Sequence, residues 1–493
     1  MIRRRLSTER ARPGRFRRRR SISSAAVNRE RSGSLESGLD LHLDWSGRPD
    51  SSTLAEALRA AIRDGRLAAG SRVPSTRTLA HDLGIARGTV TRAYAQLGTE
   101  GFLLSRQGAP TTVAERLRSG ERPDPPAPRP TGRAPRWDFR PGRPNLSAFP
   151  RKDWLAASRR VLRAMPADEL DYGDPQGPLA LREALTEYLR RARAVHTTPD
   201  RLVVCNGYSE ALSLISRVLR ARGDSSIDFE DPSLPHFRDI AAEDGMTVRG
   251  VPVDDGGIDV SALRSPAVVV TPAHQFPLGV TMRAQRRAEL IRRAKADGVL
   301  VVEDDYDGEF RFDRKPVGSL QGMAPDAVIY AGTASKTLAP ALRIAWLALP
   351  ARLVKPVRAM RTHGRFGPLF DQLALGELLR SGAYDQHVRR SRAVYRARRE
   401  QLLHGLEGLR AGHRRYPAGI SAGLHLTLRL DPDGPDEQQV LARARARGVE
   451  LDVLGPWWVR PGDHPAGVVI GYAAPAEHAF RPALAALLDT LDP

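Results

Sequence analysis

Short apolar runs alternate with amphipathic stretches over residues 137–493. Runs of this length, bounded by polar residues, predict buried strands, and they are Leu202–Val204, Ala267–Val270, Leu300–Val302, Val328–Tyr330 and Ile344–Leu349. The stretches between them predict helices over Ser209–Arg220, Phe237–Asp244 and Ala284–Ala296. Strands and helices in such alternation form a largely parallel sheet with helices on both faces, so an α/β body is expected.

The end of the chain predicts a smaller α+β domain. Residues 424–430 alternate apolar and polar side chains, as a half-buried strand does. Val468–Ile470 is a second strand candidate, and Gln438–Arg447 has a helical pattern.

Residues 39–114 instead predict three short helices. Apolar residues at i, i+4 and i+8 indicate the first helix, at Leu54, Leu58 and Ile62. Ser75 is a suitable N-cap for a second helix, which Gly84 would end. A third helix is expected from about Ala86 to Leu97.

The third helix would present small polar and basic side chains to solvent. Its inward face is Val90, Ala93, Tyr94 and Leu97, and its outward face is Arg87, Thr89, Thr91 and Arg92. Such a surface suits the major groove of DNA, although exposed arginines are more often merely solvated. Residues 100–104 and 111–113 would form a wing hairpin with Arg106 near its tip.

Composition sets the size and class of the protein. The chain has 493 residues, 41% of them hydrophobic and 27% charged, as expected of two or three globular domains. The net charge is +20, and part of it lies in a basic arm that is either a solvated tail or attractive to nucleic acid.

The predicted segments are an arm at 1–38, a winged helix-turn-helix at 39–114, a proline-rich linker at 115–136, a large domain at 137–350, and connecting helices with a small domain at 351–493.

Several classes are excluded on these grounds. Cys205 is the only cysteine, so one chain cannot build a disulfide framework or a thiolate zinc site. No apolar run approaches the length of a membrane span, and no membrane partner is expected. The histidines show no metal-ligand spacing, and no metal is expected. We therefore expect a cytoplasmic protein.

One lysine has the surroundings of a cofactor attachment site. Lys336 stands beside Thr333 and Ser335, with Arg343 seven residues on and an apolar run on each side. A lysine that forms a Schiff base with pyridoxal 5'-phosphate needs a tuned environment, and hydroxyl and guanidinium neighbours suit the phosphate. Lys336 is therefore the predicted Schiff-base and catalytic residue, if the body is active.

A carboxylate follows another predicted strand. Asp304 lies just after Leu300–Val302, at the strand end where α/β sheets bind ligands. There it could pair with a protonated pyridine nitrogen, and Tyr306 could bond the ring hydroxyl. A calcium loop is the rival interpretation of residues 303–308, but its first position is not Asp and its twelfth is Arg314. The turn before another helix offers Tyr208 and Ser209, where backbone N–H groups could cradle a phosphate or simply form an ordinary turn.

The head resembles the GntR-type winged helix. The resemblance lies in residues 64–67, 73–80 and 86–94, which read DGRL, VPSTRTLA and ARGTVTRAY. It implies that Arg77, Arg87, Thr89 and Arg92 contact DNA. Near the wing tip the chain has Ala109–Pro110 after Gly108, where the family usually has a second glycine. That departure affects the minor-groove contact of the wing.

The body resembles fold-type I aminotransferases, and the whole chain from about residue 39 resembles the MocR branch of GntR-type regulators. The matching stretches are 137–142, 172–177, 271–277, 303–310 and the segment around Lys336. The resemblance implies a homodimer in which Tyr172 reaches the phosphate bound by a neighbouring subunit. It also implies that His274 or Gln275 lies near the ring hydroxyl.

Two positions depart from the aminotransferase pattern. Leu234 stands where the family has an aromatic residue that stacks on the pyridine ring, and Phe237 is a possible substitute. The strand at 468–472 lacks the arginine that clamps a substrate α-carboxylate, and Arg460 is the nearest upstream candidate. Loss of that clamp would weaken transamination more than cofactor binding.

Three functions are consistent with these features. The first is a transcriptional regulator of an operator in double-stranded DNA, whose body senses a small amine, an amino acid or pyridoxal phosphate. The second is an active aminotransferase with an accessory DNA-binding domain, against which the missing arginine argues. The third is a DNA-binding protein whose body has lost the cofactor, against which Lys336, Asp304, Tyr306 and Arg343 argue.

Overall fold

The computed structural model describes residues 50–106, 109–114, 136–312, 317–361, 367–407, 409, 416–460 and 462–492. The chain divides into two compact units, residues 1–132 and 133–493. The basic arm predicted at 1–38 and the predicted linker up to residue 135 lie outside the described residues.

The first unit is a three-helix bundle with a short hairpin. Its elements are α1 (Ser51–Arg63), α2 (Thr76–Leu83), α3 (Arg87–Thr99), β1 (Leu103–Leu104) and β2 (Thr112–Val113). The side chain of Ser75 accepts a hydrogen bond from the Thr78 amide and so caps α2, which ends at Gly84 with φ +64°. The two strands pair antiparallel as the wing.

The predicted inward face of α3 forms the core of this unit. Val90, Ala93 and Leu97 are fully buried, and they pack with Leu54 and Leu58 of α1. The fold of the head thus follows from the apolar spacing, because each helix buries the stripe that the sequence supplies.

The second unit is built around an eight-stranded mixed sheet. Its strands are β4 (Leu202–Cys205), β5 (Ser226–Asp231), β6 (Thr247–Asp254), β7 (Gly257–Ile258), β8 (Ala267–Val270), β9 (Leu300–Asp305), β10 (Val328–Thr333) and β11 (Ala345–Ala348). They lie in the order β4-β11-β10-β9-β8-β5-β6-β7. The strands from β10 to β6 are parallel, whereas β11 runs antiparallel to both of its neighbours.

Helices cover both faces of this sheet. They are α4 (Arg151–Ala164), α5 (Leu179–Arg193), α6 (Tyr208–Ala221), α7 (Pro235–Glu243), α8 (Ala284–Ala296), α9 (Ala351–Met360), α10 (Leu369–Arg380) and α11 (Ala383–Glu407). Successive strand residues point to opposite faces. Val203 accordingly packs in the cluster with α6, while Val204 packs in the cluster with α5 and α10.

A smaller α+β layer completes the unit. It contains β12 (Tyr416–Ala418), β13 (His425–Arg429), β14 (Val449–Glu450), β15 (Asp452–Val453), β16 (Gly467–Gly471), α12 (Glu437–Ala446) and α13 (Phe480–Leu491). Its sheet has the order β12-β13-β16-β15, and the short strand β3 (Trp137–Asp138) pairs parallel with β14. The predicted combination of an α/β body with a small α+β domain is confirmed.

The sequence pattern missed three strands of the large sheet, β5, β6 and β7. The carboxylates of β5 are buried: Asp228 accepts hydrogen bonds from the amides of Arg264 and Ser265, and Glu230 accepts one from Thr271. Because backbone donors satisfy these carboxylates, a strand with acidic residues can lie inside the sheet, and a search for apolar runs does not recognise it. Among the described residues, no helix combines the length and apolarity needed to cross a bilayer.

Candidate cofactor site and candidate nucleic-acid interface

The carboxyl ends of β9 and β10 bring the predicted lysine and carboxylate together. The two strands are parallel neighbours, with Asp304 opposite Ala331. Lys336 follows three residues after β10 ends at Thr333. The two side chains are close enough for each to shift the pKa of the other.

Lys336 is held by a backbone carbonyl. Its Nζ donates a hydrogen bond to the oxygen of Gly142 at 2.6 Å. Burial lowers the pKa of Lys336, and the carboxylates of Asp304 and Asp307 oppose that shift. A lowered pKa increases the neutral fraction of the amine, which is the form that attacks a carbonyl carbon.

Asp304 is buried beside an unsatisfied hydroxyl. Burial raises the pKa of Asp304 to about 8, against the attraction of Lys336. The buried hydroxyl of Tyr208 lies close enough to this carboxylate for the two groups to shift each other's pKa, but it has no partner in good hydrogen-bond geometry among the described residues. A protonated ring nitrogen would pair with Asp304, and a bound polar group would satisfy Tyr208.

A second cluster forms around Tyr306. Its hydroxyl donates to the carbonyl oxygen of His274 at 3.0 Å, and His274 Nδ1 lies 2.8 Å from the carboxylate of Asp307. His425 packs against His274 with their rings 5.0 Å apart. The Nε2 of His425 lies 3.1 Å from the Pro277 carbonyl, while its Nδ1 is buried without a partner in the described structure.

His425 was not predicted as a site residue. The alternating pattern of residues 424–430 indicated only a strand. One side-chain nitrogen or carboxylate oxygen from each of His274, Asp307 and His425 lies within 4.8 Å of the others. The spacing of these residues along the chain could not reveal this grouping.

Arg343 and the start of α6 form a cradle suited to an anion. Arg343 adopts φ +52° and donates from its guanidinium to the Asn206 carbonyl at 3.2 Å. Gly207 adopts φ +83°, which favours glycine, and a Cβ there would lie 2.9 Å from Arg343 Cζ and push the guanidinium away. Ser209 is half-buried in the first turn of α6, where free backbone amides favour a phosphate.

Thr333 and Ser335 belong to the same edge of the sheet. The Thr333 hydroxyl donates to Ser335 Oγ at 3.0 Å and accepts from the Ser335 amide at 3.1 Å. These bonds shape the turn between β10 and Lys336. The described residues therefore fit a phosphorylated pyridine aldehyde: a lysine, a carboxylate, an unsatisfied tyrosine hydroxyl and an anion cradle converge.

Two predicted cofactor residues lie apart from this group. The side-chain amide of Gln275 is buried and donates to the carbonyls of Pro232 and Phe276. It therefore holds loops rather than facing the lysine. The side chain of Tyr172 is 91% exposed, and its role toward the phosphate of another subunit stays a prediction.

The structure also defines the two departures from the aminotransferase pattern. Leu234 packs in an apolar cluster with Leu278 and Trp457, whereas Phe237 packs edge-on against Tyr208 with ring centroids 4.7 Å apart. Arg460 donates from Nε to the buried carboxylate of Asp231 at 2.9 Å. That ion pair neutralises the arginine that we considered as a carboxylate clamp.

The candidate DNA-binding side chains lie on one helix and its surroundings. Arg77, Arg87, Thr91, Arg92 and Arg106 are exposed, and Thr89 is half-buried. The Nε of Arg87 lies 3.3 Å from Thr76 Oγ1, so α3 is tied to the start of α2. A small helix with exposed arginines can enter a major groove without rearranging the core.

Two family models match the chain, one within each of the two compact units. Residues 50–113 match the bacterial regulatory proteins of the gntR family, and residues 144–444 match the class I and II aminotransferases. Aminotransferases of that class depend on pyridoxal phosphate, which implies the same cofactor here.

Solved structures resemble the second unit. An α-aminoadipate aminotransferase of Thermus thermophilus, complexed with N-(5'-phosphopyridoxyl)-L-leucine, is 26% identical with a TM-score of 0.63 and covers 72% of this chain and 92% of its own. A kynurenine aminotransferase of Pyrococcus horikoshii is 23% identical with a TM-score of 0.63, covers 72% of this chain and 90% of its own, and shows the shared fold.

Relatives that span the whole arrangement are regulators. The pyridoxine biosynthesis regulator PdxR of Corynebacterium glutamicum is 32% identical over 89% of this chain and 95% of its own length. The probable rhizopine catabolism regulatory protein MocR of Rhizobium meliloti is 33% identical over 85% and 89%. The chain therefore belongs to the MocR branch of the GntR family, helix-turn-helix transcriptional regulators that carry a class I and II aminotransferase domain.

Proposed function

We propose that the body of this regulator binds pyridoxal 5'-phosphate at Lys336 and senses a small amine, an amino acid or the cofactor itself. The observation that carries the proposal is the convergence of Lys336, Asp304 and the Arg343 cradle at one edge of the large sheet. When bound, the cofactor would supply an electrophilic carbon that exchanges its link to lysine for a link to another amine.

Each residue has a task toward the cofactor. Lys336 would bond covalently to its aldehyde carbon, and Asp304 would hold the proton of the pyridine nitrogen. The hydroxyl proton of Tyr306 would turn from the His274 carbonyl to the ring oxygen, and the His274–Asp307 pair would keep the ring of His274 in place. The phosphate would be held by Arg343, Ser209, Thr333, Ser335, the backbone near Tyr208 and Tyr172 of the partner subunit. Gln275 would support the loop that carries His274.

The homodimer is part of the same proposal. Five leucines in the stretch of chain from 146 to 179, which contains Tyr172, are more than half exposed, and they are Leu146, Leu155, Leu162, Leu170 and Leu179. A surface of this kind is typical of a protein–protein interface. A second copy of the chain would cover it and bring Tyr172 to a neighbouring site.

Sensing is favoured over turnover by what surrounds the site. The strand β16 presents only buried Val468, Val469 and Ile470 in its centre, and Arg460 is paired with Asp231. An amino acid could enter without the bidentate clamp that aminotransferases use. The names of PdxR and MocR point to different small molecules, so the effector is proposed only by chemical class.

Ligand control of DNA binding requires that the effector bind two states of the dimer with different affinity.

The test of cofactor attachment is to load the full chain with pyridoxal phosphate, reduce it with borohydride and map the adduct by peptide mass spectrometry. Lys336→Ala should lose the near-visible absorption band and the adduct, while Lys295→Ala, an exposed lysine on α8, should keep both.

The effect of the effector on DNA binding is tested with the same wild-type and variant proteins. DNA affinity of wild type should change when an effector amine is added, and Lys336→Ala should bind DNA but not respond. If Lys336→Ala carries the adduct elsewhere, or responds to the amine as wild type does, covalent sensing through Lys336 is wrong.

A further inference from the structure

A polar cavity lies beside residues 308 and 309, shortly after the candidate cofactor residues Asp304 and Tyr306. Asp304 lies beside Lys336, whereas the next residue, Asp305, is on the other face of β9 and pairs with Arg193 at 2.6 Å. The cavity has a volume of about 250 Å³, with Gly308 and Glu309 among its lining residues. Its other walls come from the end of α5 and the first half of α11.

The cavity holds more positive than negative charge. Four arginines line it, namely Arg191, Arg193, Arg389 and Arg392. Two of them are neutralised, because Arg193 pairs with Asp305 and Arg191 pairs with Asp385 at 2.7 Å. The remaining two arginines come from one face of α11.

Arg389 and Arg392 keep most of their hydrogen-bonding capacity. Arg392 donates from Nε to the Glu309 carbonyl at 2.8 Å, and that is its one bond to the described residues. Arg389 is exposed and makes no hydrogen bond or ion pair with any residue in the described ranges. Two guanidinium groups one helical turn apart thus face the same space.

The carboxylate in the wall opposes this charge only weakly. Glu309 is 9% exposed and accepts a hydrogen bond from the Tyr188 hydroxyl at 3.0 Å. Burial and the neighbouring carboxylate of Asp305 raise the pKa of Glu309. Near neutral pH it therefore carries less negative charge than an exposed glutamate, and the excess positive charge remains.

The other arginines of α11 have partners and serve as internal comparisons. Arg396 pairs with Glu400 at 2.9 Å on the exposed side of the helix. Arg398 donates to the carbonyl of Ala473, and Arg399 donates to that of Ile420. Arg396 is therefore the matched control for the cavity arginines, because it lies on the same helix and its guanidinium already pairs with a carboxylate.

We propose that this cavity binds a small phosphate-type dianion through the guanidinium groups of Arg389 and Arg392. The planar guanidinium offers parallel N–H donors that match phosphate oxygens, and two such groups balance two negative charges. A cavity of about 250 Å³ accommodates inorganic phosphate or a small phosphate monoester. The bound anion would contact the segment that continues to Asp304 and Tyr306.

The test is calorimetric titration of the full chain with inorganic phosphate and with glycerol 3-phosphate at constant ionic strength. Both probes lack an aldehyde, so neither can attach to Lys336. Because phosphate can also occupy the Arg343 cradle, every variant is made in an Arg343→Ala background as well. Arg389→Ala should weaken binding about tenfold or more, as expected for a charge-assisted hydrogen bond, while the matched control Arg396→Ala should leave it unchanged.

A second variant moves the affinity in the opposite direction. Glu309→Gln removes the residual negative charge of the wall and should tighten phosphate binding several-fold at pH 8. Preference for one of the two probes would identify a free or an esterified phosphate as the ligand. Equal weakening by Arg389→Ala and Arg396→Ala, or binding that disappears with Arg343→Ala alone, would overturn the proposal. It would also be overturned if Arg389→Ala weakened the binding of duplex DNA but not of phosphate.

Discussion

Lys336 and Gly142 meet across 194 positions of the chain, where the lysine Nζ lies 2.6 Å from the glycine carbonyl oxygen. Gly142 adopts φ +74°, and a Cβ at this position would lie 2.8 Å from the same Nζ. The site therefore needs glycine for two reasons, because a side chain would be strained in the backbone and would displace the lysine.

Gly142→Ala should consequently reduce cofactor attachment at Lys336 by about tenfold or more, equivalent to about 1.4 kcal/mol, without unfolding the body. The matched control is Gly298→Ala, since Gly298 also has φ +74° but nothing within 4 Å of the added Cβ. The measurement is the yield of borohydride-fixed adduct, with circular dichroism for the fold. Equal losses in the two variants would mean that backbone strain, not contact with the lysine, is the cause.

The location of Asp304 and Lys336 in the candidate site was predictable because strand ends mark the ligand edge of an α/β sheet. Asp304 and Lys336 each follow a continuous apolar run, and the two runs became parallel neighbours. The cradle was predictable for a related reason, since Tyr208 and Ser209 begin the helix after β4. Local sequence patterns were therefore enough to predict which side chains lie at the ligand-binding edge of the large sheet.

The contributions of Gly142 and His425 were not predictable in this way. A carbonyl oxygen carries no residue-type signal, so the hydrogen bond to Lys336 leaves no trace in the sequence. His425 lies in an ordinary strand pattern, and its bonded partner Pro277 is 148 positions away. Such contacts depend on how the small layer packs against the loops of the large sheet, which apolar spacing does not encode.

Asp304 should make the stability of the cofactor-free protein depend on pH. Burial raises its pKa to about 8, from an ordinary value of 3.8. Between these values the folded state binds more protons than the unfolded state, so the free energy of unfolding falls as pH rises from about 4 to about 8. Asp304→Asn cannot titrate and should be more stable than wild type at pH 9 by about 1–3 kcal/mol, with a smaller difference at pH 5.

Urea titration of cofactor-free protein at both pH values checks this expectation. Asp326→Asn is the control, because the Asp326 carboxylate is 78% exposed in its pair with Arg201. If Asp304→Asn and Asp326→Asn show the same pH dependence as wild type, the buried carboxyl of Asp304 is not the group that destabilises the protein at high pH.

The head should lose DNA affinity when an outward arginine of α3 is removed. Arg92 is exposed on the face opposite the core residues Val90 and Leu97. Arg92→Ala should weaken binding to a duplex selected from a random-sequence pool by about 1–3 kcal/mol if it contacts a base edge. A phosphate contact would instead lower the slope of log affinity against log salt by about 0.9.

Arg66→Ala is the matched control, since it removes the same charge from the turn after α1, where Arg66 pairs with Asp64 at 3.2 Å. Filter binding or anisotropy at several salt concentrations separates the two cases. Identical losses for Arg92→Ala and Arg66→Ala would show that net charge, not the recognition face of α3, determines the affinity.

Tyr172 provides the sharpest test that each cofactor site is built from two subunits. Its side chain is 91% exposed, and neighbouring Leu170 is 61% exposed. If Tyr172 completes the site of a partner subunit, Tyr172→Phe should weaken cofactor retention at that partner's Lys336. Lys336→Ala should abolish attachment in its own subunit. The two substitutions then affect different sites when they are carried by different chains.

Mixed dimers of Tyr172→Phe and Lys336→Ala chains follow from this geometry. In such a dimer the Tyr172→Phe chain keeps its own Lys336 and receives an intact Tyr172 from the other chain, so that site is restored. Dissociation and reassociation of tagged chains, followed by cofactor release measured from absorbance, should show wild-type retention at one site per mixed dimer. If the Tyr172→Phe chain retains cofactor equally poorly in the homodimer and the mixed dimer, Tyr172 acts within its own subunit.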